Sequence, residues 1–135
     1  MDGFPKTAAC ACGALSVTAA ASPAQVHACS CLECQRRSGS AFTYTAFFAA
    51  ADVSVRGKFR SWRRGSEAGR FHETSFCPAC GCAMFYRLEA LPGVIGVPAG
   101  AFADPAFTKP ASHYWTAQRH TWLTTPDGTV IVERQ

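Results

Sequence analysis

A chain of 135 residues with 16 aromatic side chains, ten of them phenylalanine, is long enough for one hydrophobic core and short for several. Its formal charge of +4 comes without a run of like charges, which excludes a charged tail, and no linker or repeat divides it, so a single domain over residues 1–135 is expected. No apolar stretch approaches the ~18 residues of a membrane-spanning helix.

Residues 1–22 carry Asp2 and Lys6 and then mostly small or polar residues, without the leucine-rich apolar core of a secretory leader. A cytoplasmic location is therefore expected. Seven of the eight cysteines fall into three clusters. The first, Cys10-Ala-Cys12-Gly13, is followed by Leu15-Ser-Val17-Thr, whose period-two alternation predicts a strand. Ala19–Ala24 is small-residue rich and carries no further signal. The second cluster, Cys29-Ser-Cys31-Leu-Glu-Cys34, leads into one or two predicted helical turns from Cys31 through Arg37. Phe42–Phe48, aromatic and threonine-rich, predicts a half-buried strand. Val53-Ser-Val55 and, in part, Phe59-Arg-Ser-Trp62 alternate around a Gly57-Lys58 turn. Arg63-Arg64 reads as a solubilised turn. Arg70–Phe76 and Ala83–Arg87 flank the third cluster, Cys77-Pro-Ala-Cys80-Gly81, and predict a hairpin built on it. Val94–Val97, His113–Thr116 and Val130–Val132 predict further strands, punctuated by Pro92-Gly93, Asp104-Pro105 and Asp127-Gly128. The fold class is mainly β.

Clustered cysteines in a reducing compartment read as metal-binding rather than cross-linked, and thiolates one or two residues apart converge on zinc. Seven thiolates divide into a closed site of four and an open site of three. A structural zinc joins distant segments, because closing a long loop restricts the unfolded chain most. The two knuckles followed directly by glycine supply such a set: Cys10, Cys12, Cys77 and Cys80. Cys29, Cys31 and Cys34 then form a local set that leaves one tetrahedral position for water, substrate or another side chain. Two Zn²⁺ and seven thiolates together carry −3 and reduce the formal charge to about +1, so basicity gives no argument for a nucleic acid or membrane partner.

The order CxCG, CxCxxC followed by Arg36-Arg37-Ser38-Gly39, and FCxxCG resembles the glutathione-dependent formaldehyde-activating enzyme family, also called the centromere protein V family. The segment Val97–Pro105, His113-Tyr-Trp115 and Arg119-His-Thr-Trp122 continue the likeness, which covers about residues 8–123. The resemblance implies a β-tent fold of small twisted antiparallel sheets around a structural zinc on Cys10, Cys12, Cys77 and Cys80. It places a second zinc on Cys29, Cys31 and Cys34. The activity it implies is condensation of glutathione with formaldehyde to S-hydroxymethylglutathione, classed in reverse as a carbon–sulfur lyase.

The ligand chemistry fits that implication. Zinc held by three thiolates is net negative and suits an incoming thiol kept as thiolate better than water activation. Addition of the sulfur to formaldehyde generates an oxyanion, for which Ser38, Arg36 or a backbone N–H is available. A guanidinium of Arg36 or Arg37 matches the carboxylates of glutathione. Thiols also add to formaldehyde unaided, so a thiol or formaldehyde carrier is a rival reading. So is a non-catalytic zinc module. A methionine sulfoxide reductase-like redox protein fits less well, because its Arg-x-Cys-x-Asn strand is missing.

Several residues read more simply. His72, His113 and His120 are expected as packed or exposed side chains, His27 as a possible neighbour of the second cluster, and Trp62, Trp115 and Trp122 as core or rim aromatics. Ser30 stands where the family often has His or Asn. Cys82 is the eighth cysteine, expected as a buried thiol, with a redox role or fourth ligation of the open zinc as the alternatives.

Overall fold

The computed structural model describes residues 3–65 and 70–135; Asp2, used in the leader argument, lies outside them. Among the described residues there are eleven strands: β1 (Lys6–Ala9), β2 (Ser16–Ala19), β3 (Gln25–Cys29), β4 (Thr43–Ala49), β5 (Val53–Arg56), β6 (Arg60–Arg64), β7 (His72–Phe76), β8 (Ala83–Leu88), β9 (Val94–Pro98), β10 (Ser112–Tyr114) and β11 (Val130–Val132). They form two sheets. The one α-helix among them, α1 (Leu32–Ser38), follows the middle cysteines, where the sequence places it. No helix among the described residues is long and apolar enough to cross a membrane.

The chain divides into two compact units, Met1–Ala24 with Ala46–Phe107 and Gln25–Thr45 with Thr108–Gln135. In the first, β1, β2 and β5 make an antiparallel sheet with Ala8 opposite Val17 and Val17 opposite Val55. The alternation of β2 buries Val17 and Ala19 completely. The same unit carries the antiparallel run β6-β7-β8-β9 beside the second half of β4. Phe48 is fully buried, edge-on to Phe4 at 5.9 Å and tilted against Phe102 at 6.0 Å. Burying Phe48, Leu15, Val17, Met84 or Val97 stabilises the fold by about 1.5–3 kcal/mol each.

Arg63 and Arg64 end β6 rather than forming a turn. Arg63 lies over the Phe71 ring at 3.9 Å and donates to Glu73, its cross-strand partner, at 3.0 Å. The pair gives a strand-end arginine both a stacking surface and a counter-charge. The Gly57 turn is fixed sterically: its φ is +107°, and a Cβ there would sit 2.1 Å from the Ala14 carbonyl oxygen. Only glycine allows that approach to the Cys10–Leu15 loop.

In the second unit β10 is central, pairing in parallel with β3 on one side and β11 on the other. These two parallel pairings stand beside the antiparallel ones that the resemblance implies and that β1-β2-β5 and β6-β7-β8-β9 make. Parallel neighbours need long connections, and both pairings are made by segments far apart in the chain. The strand expected to run from His113 to Thr116 stops at Tyr114, because Trp115 adopts a left-handed φ of 57° and opens a 3₁₀ turn over Thr116–Gln118.

Candidate metal centres

All eight cysteines are free thiols, and seven of them converge in two sets. In the first unit, the sulfurs of Cys10, Cys12, Cys77 and Cys80 lie within 4.8 Å of one another. Cys12 Sγ is 3.7 Å from both Cys10 Sγ and Cys77 Sγ. A tetrahedron with Zn–S bonds near 2.3 Å has edges of about 3.8 Å, so these spacings are compatible with zinc.

The two knuckles are built alike. Cys10 N–H bonds to the Leu15 carbonyl at 3.0 Å, and Cys77 N–H bonds to the Cys82 carbonyl at 3.0 Å. Each thus closes a six-residue loop on its own first cysteine. Gly13 and Gly81 turn the two loops with φ of 79° and 78°, a conformation open to glycine at no steric cost. Backbone N–H groups then point at sulfur. Leu15 N–H donates to Cys10 Sγ at 3.3 Å and lowers its pKa. The N–H groups of Cys82 and Cys12 pull Cys80 down to about 6. Cys12 receives the Ala14 N–H, yet its proton is held towards Cys10 and Cys77 and its pKa is pushed up to about 11. Such a proton-sharing set of thiols is what a divalent cation replaces.

In the second unit, Cys29, Cys31 and Cys34 are all half-buried with sulfurs within 4.8 Å. Cys29 ends β3, Cys31 caps α1, and Cys34 lies in its first turn. The Cys34 N–H donates to Cys31 Sγ at 3.3 Å, so the cysteine acts as an N-cap while facing its neighbour one helical turn on. Cys34 is pulled down to about 5, first by the Cys29 thiol, then by the Thr43 hydroxyl, Cys31 and the charge of Arg37. Cys29 moves upward out of the ordinary thiol range because its proton is committed to Cys34 and it is buried. Among the described residues no further His, Cys, Asp or Glu belongs to this set. Cys82 is placed against the other one, where Ala11 N–H donates to its sulfur at 3.4 Å.

The three residues expected to meet a substrate take different positions. Arg37 Nη2 reaches Cys34 Sγ at 3.7 Å. Arg36 is 77% exposed and bonds to Glu33 at 3.0 Å. Ser38 turns its hydroxyl to the Gln35 carbonyl at 3.4 Å and accepts the Ser40 N–H, closing the end of α1. An open groove of about 620 Å³ runs beside the helix, lined by Leu32, Gln35, Arg36, Ser40, His120 and Trp122. Trp122 is 69% exposed there, edge-on to His120 at 5.6 Å.

The polar frame that holds α1 was not read from the sequence. Gln35 Nε2 donates to the carbonyls of Ser30 and Gln118, its Oε1 meets His120 Nε2 at 2.9 Å, and Gln118 Oε1 accepts the Leu32 N–H. Gln118 is delivered by the turn that Trp115 opens. Ser30 is completely buried and lies 2.6 Å from His113 Nε2, itself 4% exposed. Burial and then the Arg119 charge lower the His113 pKa, which favours the neutral imidazole. The pair pins the residue between Cys29 and Cys31. His113→Ala is expected to destabilise the fold by about 2–3 kcal/mol through the lost bond and the cavity, read from denaturant unfolding, whereas His120→Ala at the exposed rim should change stability by less than about 1 kcal/mol.

Three comparisons bear on this geometry. A family model described as glutathione-dependent formaldehyde-activating enzyme matches residues 5–118. Among curated proteins, none matches the chain. The crystal structure of a Rhodobacter sphaeroides protein is similar, with a TM-score of 0.56 and 23% identity, over 76% of this chain and 90% of that one; at that identity it supports the fold alone.

Proposed function

From the premise that the chain belongs to the glutathione-dependent formaldehyde-activating enzyme family, we propose that it makes or breaks the carbon–sulfur bond between a small thiol such as glutathione and formaldehyde, as a carbon–sulfur lyase. The observation that carries this is the contrast between the two cysteine sets, one of four sulfurs and one of three. On this reading two Zn²⁺ are bound per chain, a structural ion at Cys10, Cys12, Cys77 and Cys80 and a second at Cys29, Cys31 and Cys34. Zinc at the second set would supply a soft, net-negative centre that favours a thiolate over water as its fourth partner.

The chain's own residues then divide the work. The thiol sulfur adds to the formaldehyde carbon, the C=O electron pair moves to oxygen, and the thiol proton ends on that oxygen. Arg37, already against Cys34, places a fixed positive charge beside the reacting sulfur and the developing oxyanion. Arg36, on the groove, offers a guanidinium to a substrate carboxylate. The Ser38 hydroxyl is the third contact of this reading, reached by leaving the Gln35 carbonyl. The family match covers residues from both compact units, which supports treating residues 1–135 as one domain. Eight reduced cysteines suit a cytoplasmic setting.

Exchange between free formaldehyde and its glutathione adduct, followed by NMR with ¹³C-formaldehyde, tests the proposal. Catalytic amounts of protein should accelerate exchange, and Cys31→Ser should abolish the acceleration while leaving the chain folded. Stoichiometric thiol binding without acceleration would overturn the enzymatic reading in favour of a carrier.

A further inference from the structure

A fifth cysteine, Cys82, lies beside the four-sulfur set without belonging to it. The Ala11 N–H donates to Cys82 Sγ at 3.4 Å across 71 positions of sequence, and Ala11 stands between the two cysteines of the first knuckle. Cys82 itself closes the loop of the second knuckle, its carbonyl accepting the Cys77 N–H at 3.0 Å. The residue is therefore tied to both knuckles at once. It receives the same kind of contact as a ligand sulfur, since the Leu15 N–H approaches Cys10 Sγ at 3.3 Å. An inert core thiol would be fully buried among carbon atoms, whereas Cys82 is only half-buried.

We infer that Cys82 is a reserve ligand of the four-cysteine centre, poised to take the place of Cys80. Of the two knuckle cysteines on its own loop, Cys77 is completely buried while Cys80 is exposed. Cys80 is thus the more open to modification of the two ligands on that loop. The exchange requires only a local movement, because Cys82 lies two residues from Cys80 on the same loop and already meets the first knuckle at Ala11. Cys10 has no such neighbour on its own loop, where the corresponding position is Leu15.

A mutant cycle on the full-length protein tests this. The probes are metal content per chain, the sulfur-to-cobalt absorption of cobalt-loaded protein, and the melting temperature. Cys80→Ser should keep the wild-type metal content and a four-sulfur spectrum, with a melting temperature lowered by only a few degrees. Cys82→Ala should resemble wild type. The double variant should lose the metal of this centre and, with it, the fold, as should Cys10→Ser. Loss of metal from Cys80→Ser as complete as from the double variant, including failure of that single variant to fold, would overturn the inference. So would loss from Cys82→Ala alone, or retention by the double variant. The inference rests on the first cluster being a metal centre, and the metal content of the wild-type protein and of Cys10→Ser tests that separately.

Discussion

Cys77→Ser is expected to yield an unfolded or insoluble chain, while Cys31→Ser is expected to fold and to carry about one metal ion fewer than wild type. Cys77 is completely buried, and its sulfur meets that of Cys12, 65 positions earlier, at 3.7 Å. An ion shared by those knuckles closes a long loop, and a structural zinc contributes on the order of 10 kcal/mol of apparent folding free energy. That is comparable with the whole net stability of an ordinary domain, about 5–15 kcal/mol. Cys29, Cys31 and Cys34, by contrast, belong to one strand end and the first turn of α1. Their ion would close no long loop, and the surrounding bonds of Gln35, Gln118, Ser30 and His113 remain without it. Circular dichroism with metal analysis separates the two cases. A folded Cys77→Ser beside an unfolded Cys31→Ser would reverse the assignment of structural and open centres.

The division of the cysteines was legible because thiolate spacing is a local property and the glycine after each knuckle reports a left-handed turn. The hairpin of β7 and β8 was legible for the same reason: the Cys77–Gly81 knuckle leaves the strands on either side no other way to run. Strand β3 escaped notice although Val26 and Ala28 are buried while Gln25 is exposed; the alternation is there, but with only a valine and an alanine to carry it. Strand β1 has one buried residue, Ala8, and its place is set by pairing with β2. The parallel partners of β10 could not be read locally, since they depend on where distant segments return. The role of His113 was hidden likewise. Its partner Ser30 lies 83 positions away, and nothing in the neighbourhood of either residue announces the other. The position of Cys82 was ambiguous for a different reason. A residue two beyond a knuckle can face either side, and only its contact with Ala11 decides which sulfurs it joins.

The affinity of the metal-loaded three-cysteine centre for a small thiol should rise about tenfold per pH unit from pH ~6.5 towards the thiol pKa near 8.5, then level off. A soft centre takes the thiolate, so binding releases one proton, and the slope of log K against pH equals that number. For the slope to belong to the incoming thiol, the chain's own groups must not titrate in the same window. Cys34 meets that condition, being pulled down to about 5 even among its neighbouring thiols, and loading with a divalent ion holds Cys29 and Cys31 as thiolates as well. The imidazole beside Ser30 is shifted away from that window, because burial lowers its pKa from the usual value of 6.5. Titration calorimetry with glutathione in buffers of different ionisation enthalpy reads the proton release directly, and the visible spectrum of the cobalt form reads the added sulfur. A thiol acting as a fourth ligand should change that spectrum and release close to one proton. A pH-independent affinity, together with a spectrum that already shows four sulfurs before any thiol is added, would mean that the second centre is closed, and the thiol chemistry proposed for it would have no place to occur.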